Sequence, residues 1–217
     1  MNRSFRLLAV GGVCAAAISA LSLMIGCTRS AQTAPPVQQP EAQTQSAPAG
    51  PVAAKDAFWP MYKAAHAWAS DVTALRLSAK TIPGVKNESG KAAMWEAVFA
   101  SPSKATYRTF TWSVADVPSS MIYKGVNAGL EMPWGGATRD VMPIDLSQFN
   151  TDSDAAYQAA AADGAEWLKK NPGKDLSALE MGDTYRFQVP VWHVMWGTKS
   201  AGYAAWVDAS SGKVLKH

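Results

Sequence analysis

Apolar side chains recur every three or four residues at the start of the folded region, which predicts a helix with one buried face. Asp56 precedes this stripe and is a candidate cap, and Pro60 lies close enough to the start to be tolerated in the first turn. The stripe predicts a helix of about five turns. Its members are Phe58, Met61, Ala65, Trp68, Val72 and Leu75.

Alternating apolar and polar positions follow, and they predict a β-hairpin. Residues 94–100 and 106–114 are the two alternating runs, and residues 101–104, Ser-Pro-Ser-Lys, join them as a turn. The chain from 115 to 150 is interrupted by prolines and glycines, so only two brief strands are predicted there, at 121–126 and 129–132.

The second half of the folded region repeats the same plan. Residues 151–154 offer several helix caps, and the helical spacing that follows ends at the Asn-Pro-Gly of residues 171–173. Strands are predicted at 184–189, 191–196 and 203–207, with a turn into residues 214–215. The sequence therefore predicts an α+β fold, with helices packed on small antiparallel sheets in two halves.

The first 26 residues read as an export signal. Arg3 and Arg6 precede an apolar run of 19 residues, 7–25, and Gly26 precedes Cys27. This ending resembles the lipobox of bacterial lipoproteins, with Met24 in place of the usual leucine. The resemblance implies that residues 1–26 are removed and that Cys27 becomes the acylated first residue. An uncleaved membrane span is the alternative, because the apolar run is close to the length that crosses a bilayer.

Composition divides the remaining chain into a tether and a folded region. Residues 27–54 are rich in Pro, Gln and Ala and contain too few large apolar side chains to fold, so they are predicted to be a tether that carries the lipidated Cys27. The predicted organisation is a signal peptide at 1–26, the tether at 27–54, an N-terminal half at 55–150 and a C-terminal half at 151–217.

Charge and residue types exclude several classes of function. Removal of the signal lowers the net charge from +3 to +1, and the chain lacks the basic patch that nucleic-acid binding requires. Only one cysteine, Cys27, remains after cleavage, and the three histidines form no metal-ligand motif, so neither metal nor cofactor is predicted. Ser101 and Lys104 have the Ser-x-x-Lys spacing of penicillin-binding enzymes, but the companion motifs are missing. We expect a protein that is not an enzyme.

The C-terminal half carries a resemblance to a known family. Residues 189–194, 203–209 and 211–214 follow a helix that begins at 152–155, and this pattern resembles a PepSY domain, with Ser211 in the usual threonine position. The N-terminal half resembles the family only in its order of helix and hairpin. The resemblance implies a module that binds or restrains peptidases and has no catalytic residues.

Aromatic residues near Pro190 are the candidate binding surface. Trp192, His193, Trp196 and Trp206 lie on neighbouring predicted strands, where they form either a packing ladder or an exposed platform. Pro190 suggests an edge strand, which accepts a partner segment by β-augmentation.

These features together predict a lipid-anchored extracytoplasmic lipoprotein that acts as a protein-binding or peptidase-modulating module. Its partner would be an exported peptidase or another envelope protein. The alternative function is glycan or small-molecule binding by tryptophans. The expected location is the bacterial cell envelope, where Thr28, directly after the cysteine, favours the outer membrane in cells that have one.

Overall fold

The structure is a computed structural model that describes residues 50–215. Cys27, the predicted signal and most of the predicted tether lie outside the described residues. Eight strands and three helices are described, together with two 3-10 turns at Pro118–Ser120 and Leu146–Gln148. In chain order the helices and strands are α1 (Ala54–Trp68), β1 (Thr73–Lys80), β2 (Met94–Ser101), β3 (Thr106–Ser113), β4 (Gly125–Pro133), α2 (Ser153–Asp163), α3 (Ala165–Lys170), β5 (Leu176–Gly182), β6 (Val191–Gly197), β7 (Gly202–Asp208) and β8 (Val214–Leu215).

All eight strands belong to one antiparallel sheet, in the order β4-β3-β2-β1-β5-β6-β7-β8. The predicted α+β class is confirmed, but one eight-stranded sheet shared by both halves dominates the fold in place of the small sheets that the sequence predicts. The first strand of each half pairs with the first strand of the other, with Leu77 opposite Met181 and Ser78 opposite Glu180. This pairing satisfies the backbone groups of two strands that would otherwise be edges, so a continuous sheet forms.

The two halves are arranged with approximate two-fold symmetry. The strand order is the same when read outward from the β1–β5 pair in either direction. Trp95 in β2 donates its indole N–H to the carbonyl of Val52 (3.1 Å), and Trp192 in β6 donates to the carbonyl of Thr151 (2.9 Å). Each acceptor lies two residues before the helix of its own half. Each half therefore fastens its helix to its second strand in the same way.

The hairpin predicted from alternation is confirmed. β2 and β3 pair from Met94 opposite Ser113 to Ser101 opposite Thr106, within a residue or two of the predicted bounds. The two brief strands predicted near residues 121–132 are instead one strand, β4, because a register shift beside Gly129 lets the ladder continue. The predicted strands at 191–196, 203–207 and 214–215 are confirmed as β6, β7 and β8.

Two predictions of secondary structure are wrong, and the strands β1 and β5 are missing from the prediction. The first helix ends at Trp68, so Val72 precedes β1 and Leu75 lies within it. β5 was not predicted at all, and residues 184–189, predicted to be a strand, form turns. Val72 and Leu75 happen to continue the helical spacing beyond the end of α1. For this reason the sequence pattern does not reveal the start of β1.

The N-termini of α1 and α2 meet and share their capping groups. Asp152 accepts hydrogen bonds from the backbone N–H of both Ser153 (2.7 Å) and Lys55 (3.1 Å), and the Ser153 hydroxyl accepts from the N–H of Ala54 (2.9 Å). Asp56 was predicted to cap α1, but it lies in the first turn, and α1 has no side-chain cap of its own. The cap is provided from the other half of the chain because the two helices begin side by side.

A core of aromatic and aliphatic side chains fills the space between the helices and the sheet. Phe58 of α1 is fully buried and contacts Phe99 of β2, with 5.7 Å between ring centroids. Trp95 and Trp192 meet edge to face at 6.3 Å, which joins the cores of the two halves. Burial of this large apolar area is the main stabilising contribution in a domain with no disulfide among its described residues.

Residues 101–104 form a structural turn between β2 and β3. The hydroxyl of Ser101, fully buried, donates to Asp71 (2.6 Å), which also accepts from the backbone N–H of Ser103 (2.7 Å). The Lys104 ammonium donates to the carbonyl of Trp68 (2.9 Å). Both members of the Ser-x-x-Lys spacing are therefore engaged in bonds that hold the hairpin to the end of α1.

The turn at Asp71 predicts a dependence of stability on pH. The hydrogen bonds from Ser101 and Ser103 lower the pKa of Asp71 from its usual 3.8 to about 2. Its contribution to the free energy of unfolding is therefore complete above about pH 5 and is lost as the pH falls toward 2. In Asp71→Asn this contribution is absent, so the difference in stability between wild type and variant should shrink over that window.

Urea unfolding at several pH values between 6 and 2 measures this difference. Ser101→Ala is a matched variant, because it removes the hydrogen bond that contributes most to lowering the pKa. We expect it to reduce the pH dependence as well. A stability difference between wild type and Asp71→Asn that stays constant from pH 6 to pH 2 would contradict this role of Asp71.

Candidate functional site

The helices pack on one side of the sheet, and within residues 50–215 no helix covers the other side, which we name the open face. The alternation of a strand determines which residues reach it. In β6, Trp192, Val194 and Trp196 are buried on the helix side, whereas His193 lies on the open face with its cross-strand neighbour Trp206.

The four predicted binding residues are consequently divided between the two faces of the sheet. Trp192 is 0% exposed and Trp196 is 3% exposed, and both belong to the core. The rings of His193 and Trp206 stack on the open face, with 4.3 Å between centroids and an interplanar angle of 20°. The prediction that all four residues form a single surface is wrong, because adjacent side chains of a strand point in opposite directions.

The predicted edge strand at Pro190 is also wrong. Pro190 is fully buried, and its carbonyl accepts a hydrogen bond from the N–H of Ala209 (2.9 Å). The strand that follows it, β6, lies between β5 and β7 in the interior of the sheet. The proline is tolerated because it directly precedes the strand, where its missing N–H interrupts no ladder bond.

A cavity of about 710 Å³ lies at one end of the open face. The central strands supply its floor, and this floor combines charged and apolar side chains. Arg76 of β1, Val98 of β2, Tyr107 of β3, Glu180 of β5, and the stacked pair His193 and Trp206 line it. Because these residues come from six adjacent strands, their relative positions are held by the hydrogen-bond ladder of the sheet.

Two loops form the walls of the cavity and are bonded to each other. The first follows β4 and contributes Trp134, and the second follows β5 and contributes Asp183 and Thr184. The N–H of Met142 donates to the carbonyl of Asp183 (3.0 Å), and the N–H of Tyr185 donates to the carbonyl of Arg139 (3.0 Å). These bonds hold the two loops together, so the walls of the cavity have a defined shape.

Glu180 and His193 form a polar pair on the floor. The Nδ1 atom of His193 lies 3.4 Å from Oε1 of Glu180. The hydrogen bond from His193 is the largest cause that lowers the pKa of Glu180, and the nearby charges of Arg76 and Lys80 lower it further. Glu180 is therefore ionised near neutral pH, and its negative charge is already balanced by protein groups.

Asp183 and Thr184 differ from this pair, because each has a buried polar atom without a partner. Asp183 is only 8% exposed. Within the described part of the chain, neither its Oδ1 atom nor the Thr184 hydroxyl finds a hydrogen-bond partner. Burial raises the pKa of Asp183, a hydrogen bond from the backbone N–H of Thr184 partly offsets this effect, and the nearby carboxylate of Asp145 raises the pKa further. Buried groups of this kind are uncommon and usually have a role or an unseen partner.

Sequence reasoning missed most of this cavity. The sequence analysis assigns no role to Trp134, and it places Thr184 at the start of a predicted strand, 184–189. One signal was available, because Trp134 is followed by Gly135 and Gly136, which mark a loop, and binding residues often lie on loops. Its closeness to Asp183 follows only from the sheet topology.

The described residues contain neither a metal site nor a membrane span. Over residues 50–215, no group of three or more His, Cys, Asp and Glu side chains gathers closely enough to hold a metal ion. In the same part of the chain, no helix has the length and apolar character needed to cross a membrane.

Comparisons with known proteins identify no family for this chain. No protein-family model matches it, and no curated protein matches its sequence. Among solved structures it is similar to a "putative lipoprotein" from Clostridium difficile 630, with 13% identity and a TM-score of 0.49. The match covers 79% of this chain and 95% of that one. At this level the similarity assigns neither a family nor a function.

Proposed function

We propose that this chain is a lipid-anchored, extracytoplasmic binding protein that holds a small organic ligand in the cavity on its open face. This is the alternative function, small-molecule binding, that the tryptophan content indicates. The binding residues are Trp134, His193 and Trp206, since Trp192 and Trp196 lie in the core. The proposal assigns no catalytic step to the cavity.

The observation that carries the proposal is the lining of the cavity. Aromatic rings with a few polar groups are typical of small-molecule sites, and about 710 Å³ is within the usual range of such sites. The two bonded loops and the sheet floor keep the cavity formed without a ligand. Asp183 and Thr184 add a carboxyl group and a hydroxyl group to this lining.

Location follows from the N-terminal sequence. The export signal at 1–26 and the acylation of Cys27 would anchor the protein at the outer surface of a membrane, because several acyl chains hold a protein stably in a bilayer. Residues 50–54 of the predicted tether belong to the folded region, since Val52 is buried and Ala54 begins α1. The remaining residues, 28–49, would let the cavity face molecules in the surrounding envelope space.

NMR of the full-length chain in detergent tests the proposal. The nine indole N–H signals are followed while a soluble glycan, diacetylchitobiose, or a small aromatic amine, 2-phenylethylamine, is added. We expect selective shifts of the Trp134 and Trp206 signals, assigned with Trp134→Phe and Trp206→Phe, while the signal of Trp68 on the helix side stays in place. If neither probe moves either signal, the cavity is not a binding site for these classes and the proposal fails.

Protein binding is the second candidate, and the edge strand β4 favours it. β4 ends the sheet, and no described strand covers its outer side. Its Leu130 and Met132 are 83% and 45% exposed, which is unusual for large apolar side chains. An extended segment of an envelope protein would add to this edge by β-augmentation. The resemblance of residues 151–217 to PepSY domains supports a peptidase as that partner.

Crosslinking in cells separates the two candidates. The full-length chain and its Leu130→Lys variant are crosslinked, and the products are identified by mass spectrometry. A recurrent partner that Leu130→Lys loses, and that Trp206→Ala keeps, would support protein binding at β4. Identical products from wild type and Leu130→Lys would argue against this role of the edge.

A further inference from the structure

The charged groups that line the cavity are mostly acidic. Asp140, Glu180 and Asp183 line it together with a single guanidinium, that of Arg76. Arg76 acts on Glu180, whose pKa is lowered first by His193 and then by Arg76 and Lys80. Arg76 and Lys80 therefore act on Glu180, whereas the charged group that acts on Asp183 on the wall is an acid.

Asp183 has the surroundings of a carboxyl group that lacks a counterion. Its Oδ1 atom and the neighbouring Thr184 hydroxyl have no partner among the described residues, although both atoms are buried. The charged group that acts on Asp183 is another carboxylate, Asp145. Burial of an unpaired carboxylate is costly, and a positively charged hydrogen-bond donor would remove that cost.

The aromatic lining suits the same kind of ligand. Tyr107, Trp134 and Trp206 line the cavity, and the negative face of an aromatic ring attracts a cation. The chain itself places a cation on this surface, because the Arg186 guanidinium lies 4.9 Å from the ring centroid of Phe187 and 6.0 Å from that of Trp206. Aromatic rings beside an unbalanced carboxyl group favour an organic cation over a neutral or anionic molecule.

We infer that the ligand is an organic amine, whose ammonium group pairs with the carboxyl group of Asp183 and whose apolar body packs against Trp134 and Trp206. This inference rests on the proposed function, since it names the ligand class of the same cavity. Asp183 is then the residue that recognises the positive charge of the ligand. Asp140 is exposed at the rim of the cavity and has no specific role in binding.

Three probes of nearly the same shape test the inference. The full-length chain in detergent is titrated with 2-phenylethylamine, 2-phenylethanol and 3-phenylpropionate, and the indole signals of Trp134 and Trp206 report binding. We expect the amine to bind about tenfold more tightly than the alcohol, and the carboxylate to bind most weakly, because a charge-assisted hydrogen bond is about twice as strong as a neutral one.

Variants assign the preference to one residue. Asp183→Asn should weaken binding of the amine about tenfold and leave binding of the alcohol nearly unchanged. Asp140→Asn, which removes an equal charge from the same cavity, is the matched control and should change neither. The preference of the unmodified chain for the amine is itself a test, so the inference stays falsifiable even if Asp183→Asn does not fold.

The outcomes separate the inference from the proposed function. Equal affinities for the amine and the alcohol, or an amine preference that survives in folded Asp183→Asn, would overturn the amine assignment and leave the cavity as a binding site. Failure of all three probes and diacetylchitobiose to shift the Trp134 and Trp206 signals would overturn both the inference and the proposed function.

Discussion

Replacement of Gly90 by alanine should destabilise the protein by about 3 kcal/mol or more. Gly90 lies in the loop between β1 and β2, with φ at +81°, and a Cβ atom there would lie 2.6 Å from both the Cα of Asp154 and the carbonyl oxygen of Ser153. These are backbone atoms of the first turn of α2, so they cannot move aside without displacing the helix. The loop of one half is packed against the helix of the other.

Gly84 provides a matched control in the same loop. Its φ is +79°, but a Cβ atom there would have nothing within 4 Å. Gly84→Ala should therefore cost only the backbone strain of a left-handed alanine, about 1 kcal/mol. Urea unfolding followed by tryptophan fluorescence measures both variants, and the difference between them isolates the steric contact. Equal losses would show that α2 does not pack on Gly90.

The outer strands could be predicted from the sequence, whereas the central pair could not. In β3 apolar and polar residues alternate from Thr109 to Ser113, and in β2 the buried residues Trp95, Ala97 and Phe99 recur at every second position, so the period of a strand is visible. β1 and β5 each contain an extra residue, Leu75 and Ser177, where the pairing register shifts. A bulge reverses the alternation within the strand, so neither half of it is long enough to be recognised.

The composition of these two strands conceals them further. Both are rich in alanine, leucine and other residues that favour helices over strands. They are stable as strands because each pairs on both sides: β1 pairs with β2 and β5, and β5 pairs with β1 and β6. Long-range pairing overrides local propensity here, and that pairing cannot be read from a single sequence.

The sequence predicts those residues of the candidate site that lie on neighbouring strands, but not those that only the sheet topology brings together. The identification of His193 and Trp206 as neighbours is consistent with their cross-strand pairing. Trp192 and Trp196 were grouped with them, although the alternation within β6 already places these two on the other face. Asp183 and Trp134 lie some 50 residues apart in the chain and come together only because both flank the same end of the sheet.

Replacement of Trp192 by alanine should have the largest effect on stability, a loss of about 3–5 kcal/mol. The side chain is fully buried between β6 and the start of α2, and its ring packs against Trp95 and Phe149 at centroid distances of 6.3 and 6.0 Å. Its indole N–H also satisfies the carbonyl of Thr151. Since domains of this size are stable by about 5–15 kcal/mol, such a loss brings the variant close to unfolding.

A smaller change separates the two contributions of Trp192. Trp192→Phe keeps most of the ring but leaves the Thr151 carbonyl without its donor, so it should cost about 1–3 kcal/mol. Trp59→Ala removes a tryptophan that is 45% exposed and should cost less than about 1 kcal/mol. Thermal unfolding of the three variants measures the order of these effects.

The same measurement shows whether Trp192 is a core residue or part of a binding surface. If the residue contributed to a surface, Trp192→Ala would lose little stability and would resemble Trp59→Ala. Because Trp192 joins the cores of the two halves through Trp95, we expect a loss of cooperativity as well as of stability, with the C-terminal half opening first. Trp206→Ala, on the open face, should instead leave the unfolding transition sharp and remove ligand binding, so the two tryptophans of neighbouring strands report separately on folding and function.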